Sequence, residues 1–89
     1  MNIVYPNHAR ENMEERGVTE EEIEEVLRTG STIQGQFGRQ ITTKVLAEGY
    51  ERRGRRYPHK EVELIHISES GGIIIVTVKT RYGRFEETS

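Results

Sequence analysis

The sequence predicts an α+β domain: a short N-terminal strand, two helices, then a twisted antiparallel sheet of three to four strands with a long hairpin arm. Three observations carry that prediction. The stretch V18-T-E-E-E-I23 is a complete capping-box signature and opens a helix within the first thirty residues. From Ser31 onward the apolar spacing changes from three-and-four to two, the period of strands. The segment Y50-E-R-R-G-R-R-Y57 is nearly symmetric about one glycine, as the two arms of a hairpin are. Eighty-nine residues allow one domain, 1–89, around one modest core.

Taken in order, residues 2–5 (NIVY) form a short strand that Pro6 stops. Asn7 is then the expected N-cap of a helix from His8 to Arg16, with Gly17 in the left-handed position after it. The buried stripe of this helix is thin, Ala9 and Met13, and Arg16 lies near it. His8 and Arg10 sit at the N-terminal end, where free backbone N–H groups favour an anion. In the second helix Thr19 is the N-cap, Glu22 completes the box, and Val18 and Ile23 form the hydrophobic staple. Ile23, Val26 and Leu27 make its buried stripe, Gly30 ends it, and Glu24 is spaced to pair with Arg28. The glutamates of its first turn suit the helix dipole, which explains this acidic run without acid–base chemistry.

The strands follow. T32-I-Q-G-Q36 is short, F37-G-R39 turns, I41-T-T-K-V-L-A47 and E61-V-E-L-I-H-I67 pair, and S70-G-G72 turns into I73-I-I-V-T-V-K-T80. Strict alternation puts Ile74, Val76 and Val78 toward the helices, and Ile73, Ile75, Thr77, Lys79 and Arg81 on the other face. A strand so apolar on both sides is expected to be central. His66 shares a face with Val62 and Leu64 and should be half-buried and satisfied. Fourteen structureless residues over 47–60 would be unusual in so small a domain, so both flanking strands are expected to continue into an arm turning at Arg53-Gly54. That register sets Tyr50 against Tyr57, Glu51 against Arg56 and Arg52 against Arg55, and Pro58 bends the arm at its base.

Composition removes several classes of function. There is no cysteine, hence no disulfide or thiolate chemistry, and no aspartate, hence no Asp-rich oxygen cage for calcium or paired metals. His8, His59 and His66 show no ligand spacing, so neither a metal nor a cofactor is expected. The longest apolar run, IIIV at 73–76, is too short to span a bilayer, and the expectation is a soluble, cytoplasmic protein with no membrane partner. The net charge of −2 hides segregation: eight glutamates face one arginine between Glu11 and Glu25, while Arg52 to Lys60 holds five basic residues and no acid. A weakly acidic chain of this kind can present a basic face.

The opening H8-A-R-E-N-M13-E-E-R16-G17-V18, continued by T19-E-E-E-I-E-E-V-L27-R-T-G30, resembles that of a small prokaryotic domain-of-unknown-function family. G49-Y-E-R-R-G-R-R-Y-P-H-K-E-V62 and V76-T-V-K-T-R-Y-G83 resemble its second half, so the likeness runs from His8 to about Phe85. The order of elements is similar to that of RelE/ParE-like toxins, members of which cleave RNA or inhibit gyrase. The resemblance implies a metal-independent ribonuclease or an RNA- or ribosome-directed toxin, with an antitoxin as protein partner. The acidic balance and the Glu-rich second helix depart from a toxin-like pattern.

Metal-independent RNA cleavage needs a base, a cation for the developing charge and an acid at one phosphate. In that scheme His8 is acid or base, Arg10 and Arg81 clamp the phosphate, Lys79 stabilises charge and Tyr82 is an alternative acid. Each also has a plain structural role: a first-turn histidine bonded to a strand end, or cations on a solvated face. Arg16 is expected to meet carbonyls at the end of its own helix. The arm offers a different surface, because Tyr50, Arg52, Arg53, Arg55, Arg56 and Tyr57, with Arg84, suit phosphate contact and base stacking. A non-enzymatic module holding RNA, DNA or an acidic protein is thus the alternative to the enzyme. A third possibility is a homodimer through a second apolar face of Ile65, Ile67, Ile73 and Ile75.

Overall fold

The computed structural model describes residues 2–85. Strand β1 (Ile3–Val4) leads into helix α1 (Asn7–Arg16) and helix α2 (Glu20–Thr29). Strands β2 (Ser31–Gln34) and β3 (Gln40–Leu46) precede the arm, β4 (Tyr50–Arg52) and β5 (Arg55–Tyr57). Two long strands, β6 (His59–Glu69) and β7 (Gly72–Gly83), complete the chain. The sheet order is β1-β7-β6-β3-β2, with the arm as a separate two-stranded sheet. The architecture is the expected α+β class, but the sheet has five strands and is mixed, since β1 runs parallel to β7. Pairing to the last strand places β7 inside the sheet at Ile73 and Ile74.

The α1 boundary differs by one residue from the sequence expectation. Pro6 occupies the N-cap and Asn7 is already helical, with no side-chain cap bond, because the Pro6 carbonyl accepts the first helical bond from the Arg10 N–H at 3.0 Å. Proline has no N–H to leave unpaired there. Gly17 closes the helix at φ 69° as expected. In α2 both halves of the capping box form, Glu22 N–H to Thr19 Oγ1 at 3.1 Å and Thr19 N–H to Glu22 Oε1 at 2.9 Å. Gly30 cannot carry a side chain, since a Cβ would lie 2.6 Å from the Val26 carbonyl and 2.8 Å from that of Thr43. Among the described ion pairs there is none between Glu24 and Arg28, and both side chains are exposed.

Both helices lie on one face of the sheet. Ala9 and Met13 of α1, Ile23 and Val26 of α2, and Val62, Leu64, Ile75 and Val78 of the sheet form the heart of the core. Alternation fails in β7. Ile65 pairs with Thr77 but His66 pairs with Ile75, so Val76 is an extra residue, a β-bulge. The bulge reverses the phase upstream of it. Ile75 is fully buried on the helix side and Ile73 packs against the core, whereas Ile74 and Val76 are on the opposite face, the reverse of the expected assignment; Val78 is where it was expected.

The face without helices carries ordered rows. Ile33, Ile41, Ile65 and Thr77 form one cross-strand row, and Ile67, Ile74 and Val4 the next. Below them come Glu63 beside Lys79 and Glu61 beside Arg81. Helix α1 lies along the free edge of β7, where the buried Asn12 Oδ1 accepts the Val78 N–H at 3.4 Å. That contact covers an edge N–H with no strand partner.

Candidate nucleic-acid interface

The site grows from the C-terminal end of α1, where helical carbonyls lack helical partners. Three side chains from later in the chain meet them. Arg52 donates to the Glu15 carbonyl, the Tyr82 hydroxyl donates to the Arg16 carbonyl at 2.6 Å, and Lys60 Nζ donates to the Gly17 carbonyl. Arg16, expected to cap its own helix, instead pairs with the Glu15 carboxylate at 3.4 Å. A Cβ on Gly17 would lie 2.9 Å from the Tyr82 hydroxyl, so the close approach as well as the left-handed φ requires glycine.

These contacts fold the arm back onto the body. Its register is the expected one, turning at Arg53 and Gly54 with both residues left-handed. Tyr50, Arg52 and Tyr57 face inward: Tyr50 packs against the core, Tyr57 lies 5.8 Å from the Tyr82 ring, and the Arg52 guanidinium sits 5.8 Å over that ring. Burial pushes the Tyr50 phenol up from its ordinary pKa. Arg53, Arg55 and Arg56 are exposed and form no ion pair among the described residues.

Two clefts adjoin one another, the first of them at the arm. One of about 390 Å³ is lined by Glu15, Arg16, Arg52, Arg53, Thr80 and Tyr82. Another of about 370 Å³ is lined by Arg16, Glu61, Glu63, Lys79, Thr80 and Arg81. Arg16 and Thr80 border both, and Thr80 Oγ1 is buried without a partner. The second cleft wraps the free edge of β7, reaching from the helix side to the open side. Arg81 Nε donates to Glu61 at 2.9 Å, a hydrogen bond that holds the guanidinium above its ordinary pKa, and Arg81 also covers the Phe85 ring at 4.6 Å.

The structure thus gathers Lys79, Arg81, Tyr82, Arg52 and Arg53 around Arg16. It leaves His8 and Arg10 at the other end of α1, roughly 12 Å away along the axis at 1.5 Å per residue. His8 is exposed. Arg10 pairs with Glu20 at 3.1 Å and lies 5.2 Å over the Tyr5 ring. Arg84 is exposed just past β7. Among the described residues no three His, Cys, Asp or Glu side chains converge as metal ligands would.

Lys60 is the residue that sequence reasoning misplaced, counting it with the solvated basic cluster. It is 2% exposed, bonded to Gly17 and to Glu22 Oε1 at 2.7 Å, with its ammonium 5.2 Å from the Tyr50 ring and 5.6 Å from the Tyr82 ring. The signal was available: Lys60, Val62, Leu64 and His66 alternate on one face. His66 is more buried than expected and only partly satisfied. Its Nε2 bonds Thr42 Oγ1 at 2.8 Å, and its Nδ1 has no partner.

The fold and this site define a small α+β domain with a basic arm docked over a split cleft. The chain belongs to the family described as Domain of unknown function (DUF4258), whose model matches residues 5–79. No curated protein and no solved structure matches it. No helix of the described residues is long and apolar enough to cross a membrane.

Proposed function

We propose that the domain holds single-stranded RNA, with the arm as one jaw and the paired clefts as the seat. The observation that carries this is the continuity of exposed arm arginines with clefts bordered by Arg16, Lys79 and Arg81. Arg53, Arg55 and Arg56 are not used in docking the arm, so they are available to phosphates. The half-buried rings of Tyr57 and Tyr82, 5.8 Å apart, are the stacking surface beside them.

Geometry favours holding over cutting. The Tyr82 hydroxyl is already committed to the Arg16 carbonyl, and His8 lies a helix length from Lys79 and Arg81. A ribonuclease of the RelE-like kind keeps support from the cations clustered at one cleft, and it requires His8 to act there on bound RNA.

The test is a salt series of binding to labelled single-stranded RNA, without added metal. It compares the parent with the Arg53→Ala/Arg55→Ala/Arg56→Ala protein, which leaves the docking residue Arg52 in place. Loss of about three phosphate contacts should reduce the slope of log K against log salt by about 2. A triple variant that binds like the parent would sink the proposal. RNA cleavage by the parent, absent from His8→Ala, would establish the enzyme in its place.

A further inference from the structure

We infer that the open face of the sheet is the interface of a reversible homodimer, in which two copies stack face to face about a two-fold axis running along the strands between β6 and β7. The apolar rows through Ile65 and through Ile67–Ile74 have no covering layer among the described residues, and Ile33 at 64% and Val4 at 47% exposure extend them to the sheet edges. Apolar sheet faces pack on other faces, commonly with strands aligned within about 30°.

The occupant is a second copy because the face is complementary to itself under that axis. The operation lays β6 of one copy over β7 of the other at the same level. Ile65 then covers Thr77, and Ile67 covers Ile74. In the charged rows Glu63 meets the other copy's Lys79, and Glu61 meets its Arg81, so every charge finds its opposite. A foreign partner would need the same two-column pattern with the signs exchanged. Under this axis β7 and β6 of one copy overlie β6 and β7 of the other, β3 meets only the two-residue β1, and β2 lies outside the overlap. Two strands about 4.8 Å apart and seven residues deep at about 3.3 Å, with the β1–β3 corners, give roughly 300 Å² per copy. The pair would bury roughly 600 Å², below the range of stable specific interfaces, which predicts a weak dimer formed only at high concentration.

Sedimentation equilibrium on the full chain tests this. The parent should associate reversibly below millimolar concentration. Ile74→Lys, at a half-exposed position that faces away from the core, should stay folded by circular dichroism and remain monomeric. Glu63→Lys and Lys79→Glu each set like charges across the axis, and each should weaken association by roughly tenfold or more. A one-to-one mixture of these two variants should recover association, because each like-charge contact becomes an opposite pair in the mixed dimer. Effects within one chain cannot be repaired by mixing. A parent that is monomeric at millimolar concentration, or a mixture no better than its components, overturns the inference.

Discussion

His66 and Lys60 occupy the same buried face of β6, and their environments set opposite consequences. Lys60 brings its charge to a carboxylate, a helix carbonyl and two aromatic rings, so the desolvation of an ammonium is offset by charge-assisted bonds. His66 has one partner, Thr42, whose hydroxyl in turn meets Thr32 at 2.7 Å. A proton on Nε2 lets the ring donate to Thr42 and leaves only the Nδ1 lone pair unpartnered. Burial holds the His66 pKa below its ordinary value. The unfolded chain therefore takes up this proton first as pH falls. Stability contributed by neutral His66 is complete above the unfolded pKa, about 6.5, and declines as pH drops through it toward the lower folded value. Urea unfolding should show stability falling from pH 7 to 5, with a shallower fall in His66→Gln. Equal slopes in the two proteins would show that His66 is not responsible.

At the scale of elements, the bulge at Val76 decides which isoleucines build the core. Local pattern identified β7 as a long apolar strand, but period-two reading cannot locate a residue that drops out of the ladder. The bulge also makes a deletion informative. Removing Val76 regularises the ladder and keeps Ile73, Ile75 and Val78 on the helix side, so that protein should unfold in one cooperative thermal transition. Removing Thr80 turns Tyr82 away from the Arg16 carbonyl and brings Arg81 inward, and should abolish cooperative melting. Both helices were legible because caps and glycines are local: Thr19–Glu22, Gly17 and Gly30 act within a few residues. The hairpin arm was legible for the same reason, since its turn and cross-strand pairs lie within eight residues. What the arm does was not, because Arg52 bonds a carbonyl 37 residues away.

Across the whole molecule, charge is separated by element. The helices expose a glutamate-rich surface, while the arm and the end of β7 carry exposed arginines. Such separation gives one end of the molecule the positive potential that the proposed RNA seat requires, in spite of the net charge of −2. The proposed RNA seat and dimer face share Lys79 and Arg81. The two occupancies are therefore expected to compete, and adding a short single-stranded RNA should shift the dimer toward an RNA-bound monomer in sedimentation velocity. Coexistence of dimer and bound RNA at full occupancy would show that the cations are not shared.

The sequence by itself determined the α+β class, both helices and their ends save the first residue of α1, the arm and its register, and the separation of charge. Each follows from interactions among residues close in the chain or from composition. Tertiary structure alone decided that β1 joins β7 in parallel, that a bulge exchanges Ile74 for Ile75 in the core, and that Lys60, Arg52 and Tyr82 close the end of α1. The first and the last are contacts between segments 37 to 70 residues apart, and the bulge is an irregularity inside the β6–β7 ladder. Their partners are fixed by the packing of whole elements, which no local pattern encodes.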